Sequence, residues 1–380
     1  MTKKKKLADY QLSVCIIVKN ESQNIGKCLD ALTETGFEII VADTGSTDDT
    51  REIARRYTQK VYDFPWCDDF SAARNFAISK ASNPFVMMID SDEFLESIDL
   101  EKLQQDFMQH PHRVGRIFRK NVFERNGIRH ENTEWINRIF PKDSFRYEGC
   151  IHEQIVSKEE STYQTYQAPV VISHTGYNLP KEERRKKAER NKTLLIRELD
   201  RLYRQFYESN HGGNPDEKLQ HNEQIPYILY QLGKSCYMAG DYADACDYFS
   251  RALSFDLNPK LEYVIDMVET YGYALLNSGQ NEEALLFENI YDEFGNSADF
   301  QFLMGLIYMN NEQYDQAVRE FLKATEHKHC RNSGTNSYAA YYNIGVIYEC
   351  TGRNEEARKY FKMCGDYQPA QEQLKMIGNQ

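Results

Sequence analysis

Phe85-Val86-Met87-Met88-Ile89-Asp90-Ser91-Asp92-Glu93 decides the reading of this chain. Five apolar residues run straight into two carboxylates that stand two positions apart. A short run that is apolar at every position suits a strand buried on both faces. Its end places hard oxygen donors at the carboxyl edge of a sheet, where open α/β sheets take their ligands. Oxygen-rich sites suit Mg²⁺ or Mn²⁺, and such ions typically hold phosphates. Asp-x-Asp alone is a common pair, and its weight here comes from two strand ends upstream.

The first is Val14 to Val18, which leads into Lys19-Asn20-Glu21. The second is Phe37 to Val41, which leads to Asp43-Thr44-Gly45-Ser46-Thr47-Asp48-Asp49-Thr50. Helices are predicted at 24–32, with Ile25, Cys28, Leu29 and Leu32 on one face, at 48–57 and at 70–79. A short third strand is predicted at Val61-Tyr62. This alternation predicts a parallel sheet with helices on both faces, so the three loops meet at one edge. Asp43 suits hydrogen bonds from a base or a ribose. Gly45 permits a tight turn near a ligand, and Ser46-Thr47-Asp48 suits a helix cap. Gly-x-Gly-x-x-Gly is missing, and Gly233-Lys234-Ser235 lacks the glycine that opens a P-loop, with Ile228 in its place, so neither a dinucleotide fold nor a P-loop fits.

From Val114 to Ile172 the pattern changes to short β segments at 115–118, 134–140 and 170–172, expected as an antiparallel extension over the site. Residues 181–207 predict one charged amphipathic helix with Leu194, Leu195, Leu199, Leu202 and Phe206 as its stripe. His211-Gly212-Gly213-Asn214-Pro215 ends it, and the polar stretch to Gln224 reads as a linker.

The last part repeats. Gly233, Gly272, Gly305 and Gly345 are each followed twelve residues later by Ala245, Ala284, Ala317 and Ala357. Seven residues after each glycine stand Gly240, Gly279, Glu312 and Gly352, where one helix would turn into the next. Sixteen residues after it stand Phe249, Glu288, Phe321 and Phe361. The spacings of 39, 33 and 40 residues and the small–turn–small logic are those of tetratricopeptide repeats, with Glu288 marking a degenerate second unit. Such a solenoid offers a concave peptide-binding surface or a dimer interface. Tyr341, Ile344, Ile347 and Tyr348 at its end suggest a face in need of cover, hence a homodimer through the repeats.

A chain of 380 residues predicts more than one core. The expected layout is a flexible basic tail at 1–10, an α/β domain at 11–180, a connecting helix and linker at 181–224, and a helical repeat domain at 225–380. The net charge of −12 argues against a nucleic-acid binder. Nine cysteines without Cys-x-x-Cys spacing form neither a zinc nor a disulfide framework, and read as reduced thiols. Lys3 to Lys6 are followed by no apolar segment, so no signal peptide is read there, and no run approaches a membrane span. The expected compartment is the cytoplasm.

Four blocks in order resemble the signature of family 2 glycosyltransferases of the GT-A fold. They are Ser13–Glu21, Ile39–Asp48, Ala73-Arg74-Asn75 and Ile89–Glu93. The resemblance spans about residues 11–180. It implies a GT-A fold, a nucleotide-diphosphate sugar donor, Mn²⁺ or Mg²⁺, and inversion at the anomeric carbon. UDP-glucose or UDP-N-acetylglucosamine is the donor it suggests. Donor contacts are implied for Val18, Asn20, Glu21, Asp43, Gly45, Ser46, Arg74, Asp90 and Ser91, and metal contacts for Asp92, Asp90 and His174. Inverting transfer needs a general base and no protein nucleophile. Glu153 occupies the position where this fold usually carries its catalytic carboxylate, with His152 and Glu148 as rivals. Trp66 and Trp135 stand as sugar or acceptor platforms or as core.

Asp69–Asn75, Gly149-x-x-His152-Glu153, His174-Thr175-Gly176-Tyr177 and the repeats are together similar to the bacteriocin peptide S-glycosyltransferases. They imply a peptide or protein acceptor, with a cysteine thiol among the candidates. A cell-surface glycan or lipid-linked acceptor is the alternative. A repeat scaffold whose transferase domain has lost activity is the second.

Overall fold

A computed structural model describes residues 11–125, 128–159, 162–174, 181–209, 219–220 and 222–378. Lys3–Lys6, Thr175–Tyr177 and His211–Pro215 lie outside the described residues. The chain divides into two compact units, Met1–Leu179 and Pro180–Gln380.

The first unit opens with β1 (Leu12–Val18), α1 (Ile25–Thr33), β2 (Glu38–Asp43), α2 (Thr50–Ala54), β3 (Val61–Asp63), α3 (Phe70–Ser79) and β4 (Phe85–Asp90). All four of these strands pair in parallel. Successive side chains point to opposite faces of a strand. Val14, Ile16, Met87 and Ile89 accordingly share a core with Ile25, Leu29 and Leu32 of α1. Cys15, Ile40, Val86 and Met88 pack on the other face with Ala77 and Ile78 of α3.

Then come β5 (Glu93–Ile98), α4 (Leu100–Gln109), β6 (Val114–Arg125), β7 (Ile128–Pro141), β8 (Phe145–Glu148), β9 (Gln154–Ser157) and β10 (Thr165–His174). The main sheet has eight strands in the order β3-β2-β1-β4-β7-β6-β10-β5, and β8 pairs with β9 apart from it. The expected antiparallel extension is therefore mixed. β7 is antiparallel to β4 and β6, but β10 runs parallel to β6 and antiparallel to β5. β6 and β7 also extend well beyond the predicted segments. Their outer halves are polar, with Arg119 opposite Glu134 and Asn121 opposite Asn132, so an apolar period does not reveal them.

The second unit is all helical. α5 (Lys181–Ser209) buries Ala188, Leu194, Leu195, Leu199 and Leu202 and packs along the first repeat helix, Gln224–Ala239. The predicted connecting helix is thus a packed member of this unit. Tyr242–Leu253 completes the first repeat. The third and fourth are Ala298–Asn310 with Tyr314–Glu326, and Tyr338–Cys350 with Asn354–Met363. In these three repeats an aromatic ring fills the space at the glycine. A Cβ on Gly233, Gly305 or Gly345 would lie 2.5–2.6 Å from the rings of Phe249, Phe321 and Phe361.

The second repeat reaches the same packing differently. Glu262–Asn277 is followed by Asn281–Ala284, a 3₁₀ stretch Leu285–Ile290, and Tyr291–Phe294. A 3₁₀ turn uses fewer residues per turn than an α-helix. It presents Phe287, one position before Glu288, to Gly272, where a Cβ would meet Leu303 at 2.6 Å and the Phe287 ring at 3.1 Å. A final helix, Gln368–Gly378, buries Ala370 and Ile377 against Phe361 and Cys364. Ile344 and Ile347 are buried within the chain as well. The apolar residues that suggested a dimer are thus largely covered by their own unit.

Cys15, Cys28, Cys236, Cys246 and Cys364 are buried thiols, whereas Cys67 and Cys350 are exposed. No helix among the described residues is long and apolar enough to cross a membrane.

Candidate active site

The register puts the loop residues at one edge. Val18 is level with Asp43, Ile17 with Asp90, and His174 with both Glu93 and Asn121.

The first two loops are laced together. Asn20 adopts a left-handed backbone with φ 56°. Its amide donates to Ser46 Oγ at 2.9 Å, and its Oδ1 accepts from the Thr47 amide at 2.8 Å. The Glu21 amide donates to Thr50 Oγ1 at 2.7 Å, and the Ser22 amide to Asp48 Oδ2 at 3.1 Å. Asp48 thus joins two loops as well as receiving the Thr50 amide at 3.1 Å. Burial raises the pKa of its carboxyl, but hydrogen bonds from Thr50 and Ser22 outweigh burial and bring it to about 2.

Asp43 is 1% exposed. Its Oδ1 accepts from the Gly45 and Ser46 amides at 3.0 and 2.8 Å and from Arg51 Nη2 at 3.2 Å. Its Oδ2 is buried with no hydrogen-bond partner among the described residues. A buried carboxylate oxygen left unmatched is costly. This one sits where the sequence expected a base or ribose to bind.

α3 carries the next group. Asp69 caps it, accepting from the Ala72 amide at 2.9 Å, and Ala73 and Ala77 are buried. Asn75 clamps the backbone of Tyr147 at 2.8 and 2.9 Å, and the Phe70 amide donates to the Cys150 carbonyl at 2.8 Å. These bonds fasten the 147–153 loop to α3. Gly149 (φ 98°) and His152 (φ 50°) turn it through left-handed backbone, and Glu153 then meets Arg74 Nε in an ion pair. Glu148 lies on the exposed side of its strand, paired with Arg146.

Arg74 Nη2 also holds Asp90 Oδ1 at 2.9 Å, and Arg138 Nη2 holds Asp90 Oδ2 at 2.8 Å. Burial works against ionisation of Asp90, but the two guanidiniums outweigh it and keep the carboxyl well below its usual range. Glu93 is fully buried beside them. Its Oε2 accepts from the Asp90 amide at 2.9 Å, and its Oε1 from Arg138 Nη2 at 2.9 Å and Arg119 Nη1 at 3.0 Å. Arg119 Nη2 reaches Glu134 Oε1 at 2.8 Å, and Asn121 Nδ2 reaches the same oxygen at 2.6 Å. Asn121 Oδ1 then meets His174 Nδ1 at 2.8 Å, and His174 Nε2 meets Asp92 Oδ2 at 3.3 Å. A continuous chain of charged and polar contacts therefore runs from Glu153 to Asp92.

The expected metal trio is not assembled. Among the described residues no three His, Cys, Asp or Glu side chains converge to hold an ion. Asp92 and His174 face each other, while both oxygens of Asp90 are taken by guanidiniums. The pair still fits a divalent ion. Asn121 donates its amide to Glu134, so its oxygen faces His174 and calls for the proton on Nδ1. The His174 Nε2 then faces Asp92 Oδ2 at 3.3 Å, a nitrogen–carboxylate pair of the kind that suits a divalent cation. Mg²⁺ typically takes one or two protein ligands and completes its shell with water and phosphate oxygens.

Arg138, Glu93, Arg119, Glu134 and Asn121 were not singled out in the sequence. The available signal was a charge flanked by Ile136, Ile139 and Phe140; the register shifts at Arg138, so Ile136 and Ile139 share one core and Phe140 packs in the other. Trp135 packs edge-on against Phe118, with ring centroids 5.1 Å apart. Trp66 bonds Asp68 Oδ1 at 2.9 Å and packs against Phe70.

Residues 13–158 match the glycosyl transferase family 2 model, and residues 226–259 and 302–364 match tetratricopeptide repeat models. The first unit is a family 2 glycosyltransferase domain, and tetratricopeptide repeats follow it. The prophage-derived glycosyltransferase SunS of Bacillus subtilis is 25% identical over 252 residues, 63% of this chain and 52% of SunS. A TPR repeat-containing protein of Synechococcus elongatus is 29% identical over 193 residues, 49% of this chain and 47% of that protein. The chain spans about half the length of these curated relatives. Among solved structures, S. aureus TarS 1-349 is similar at 18% identity and a TM-score of 0.34, over 83% of this chain and 92% of that one.

Proposed function

We propose that the first unit transfers a sugar from a nucleotide-diphosphate donor, UDP-hexose in the leading case, to a peptide or protein acceptor with inversion. The observation that carries this reading is the gathering of Asp43, Asp90, Asp92 and His174 at one sheet edge. The buried, unmatched Asp43 Oδ2 suits a donor N–H or O–H of the nucleoside. Asn20, Glu21, Gly45, Ser46 and Ser91 frame the same edge, and Arg74 offers a guanidinium to the diphosphate.

Asp92 and His174 would hold Mn²⁺ or Mg²⁺, which supplies charge that neutralises the departing diphosphate. The acceptor sulfur or oxygen attacks the anomeric carbon, forming one bond as the carbon–oxygen bond to the diphosphate breaks. The bonding electron pair leaves on the diphosphate. Glu153 takes the acceptor proton, and His152 stands beside it as the rival base. The similarity to peptide S-glycosyltransferases and the repeat unit favour a peptide acceptor, with the repeats gripping it.

The test is incubation of the full chain with a panel of nucleotide sugars, Mn²⁺ and candidate peptides, followed by mass spectrometry. A hexose-sized mass gain on a peptide, lost in Asp92→Ala, is the expected result. Neither donor hydrolysis nor transfer with any donor would leave the chain a repeat scaffold.

A further inference from the structure

Arg74 holds two carboxylates with one guanidinium. Nε is engaged by Glu153, and Nη2 by Asp90 at 2.9 Å. Nη1 is buried with no hydrogen-bond partner among the described residues, although the residue is only 7% exposed. A guanidinium carries five N–H donors in a fixed fork that matches phosphate oxygens.

We propose that Arg74 is a latch that withholds Glu153 from the acceptor until the donor binds. The inference rests on the donor and base assignments proposed above. Glu153 cannot be uncovered easily by movement of its own backbone, because Asn75 and Phe70 fasten Tyr147 and Cys150 ahead of it to α3, and Gln154 directly after it pairs with Glu148 of β8. The arginine, on a long side chain, is the part that can move. Asp90 does not depend on it, since Arg138 holds the other Asp90 oxygen at 2.8 Å and Glu93 holds the Asp90 amide. An arriving diphosphate carries more negative charge than one carboxylate and offers several acceptor oxygens. It therefore has the differential affinity that a two-position side chain needs in order to shift. When Arg74 turns to the diphosphate, Glu153 loses its counter-ion and faces the acceptor. The proton acceptor then becomes available only when there is a sugar to transfer.

The test reads Glu153 directly. The full chain is treated with a water-soluble carbodiimide and glycine ethyl ester, and labelling of Glu153 is measured by peptide mass mapping. UDP with Mn²⁺ is the probe, because it lacks the sugar that would cover the carboxylate. Binding of UDP is measured separately by calorimetry. Glu153 labelling is expected to rise about tenfold on adding UDP, as for a mostly closed side chain made mostly open. Exposed Glu148 serves as the constant reference. Arg74→Met is expected to give the raised labelling without UDP. Arg74→Lys keeps the charge but has a single nitrogen, and is expected to do the same should the methionine variant fail to fold. UDP that binds without changing Glu153 labelling overturns the latch. So does a substituted chain that labels like wild type. If no nucleoside diphosphate binds, the donor reading fails, and the latch loses its trigger with it.

Discussion

His174 Nε2 stands 3.3 Å from Asp92 Oδ2 while Asn121 Oδ1 holds the other ring nitrogen at 2.8 Å. Asn121 therefore orients the imidazole, although it would not itself touch an ion held by His174 and Asp92. Asn121→Ala is expected to weaken Mn²⁺ binding by about 10- to 100-fold. Electron paramagnetic resonance titration of the full chain measures this without turnover. Unchanged Mn²⁺ affinity would remove Asn121 and His174 from the ion's surroundings.

Glu93 is the buried hinge of the charge chain, gripping Arg138, Arg119 and the Asp90 amide. Removing one charge from a buried ionic cluster leaves the others uncompensated. Glu93→Gln is expected to destabilise the first unit by about 3 kcal/mol. Both tryptophans, Trp66 and Trp135, belong to that unit, so their fluorescence in urea follows its unfolding alone. A midpoint equal to wild type would show that the cluster tolerates the loss.

In the repeats, Gly305→Ala forces a Cβ into the Phe321 ring at 2.6 Å and is expected to cost about 1–3 kcal/mol. Phe287→Ala tests the shifted second repeat and is expected to cost about 3 kcal/mol, as for a buried aromatic. The loss of helical ellipticity on heating reads both. A neutral Phe287→Ala would mean that the 3₁₀ stretch does not bring that ring into the packing at Gly272.

Glu269 gives the second unit a pH dependence. It is 3% exposed, and burial pushes its carboxyl up to about 7 despite the ion pair with Arg331. An unfolded glutamate titrates near about 4.3. Between those values the folded chain keeps a proton that the unfolded chain has lost. This contribution to stability is therefore fully present below the unfolded value and lost as pH rises through about 7. The helical melting temperature is expected to fall over that window, and Glu269→Gln to flatten the fall. An identical pH profile in the variant would assign the titration elsewhere.

The parallel half of the sheet was legible because its strands are short, apolar and punctuated by loops that carry chemistry. α3 matched its predicted bounds, since Asp69 caps it and buried alanines mark its inner face. β5 and α4 were missed. Glu93-Phe94-Leu95 continues the carboxylate turn with no break, whereas Leu100, Leu103 and Phe107 do carry a helical spacing that went unread. The long β6–β7 pair hid for a different reason: its inward arginines and glutamates satisfy one another across strands, and neither composition nor period shows pairing partners. The carboxylates were visible one at a time. That Asp90 spends both oxygens on Arg74 and Arg138 follows only from α3 packing over the sheet and β7 lying beside β4. Glu288 stood at the expected aromatic position, but the local tightening of the helix placed Phe287 there instead.

The uneven burial of the thiols has a practical use. Burial pushes the Cys15 and Cys28 thiols far above their usual range, which leaves them poor nucleophiles toward maleimides at neutral pH. Cys67 and Cys350 are exposed, one in each unit. The two exposed thiols thus stand one in each unit, and replacing the half-buried Cys150 and Cys330 by serine would leave them as the accessible pair. A donor and an acceptor dye attached there would report, by energy transfer in single molecules, whether the two units move relative to one another when UDP is added.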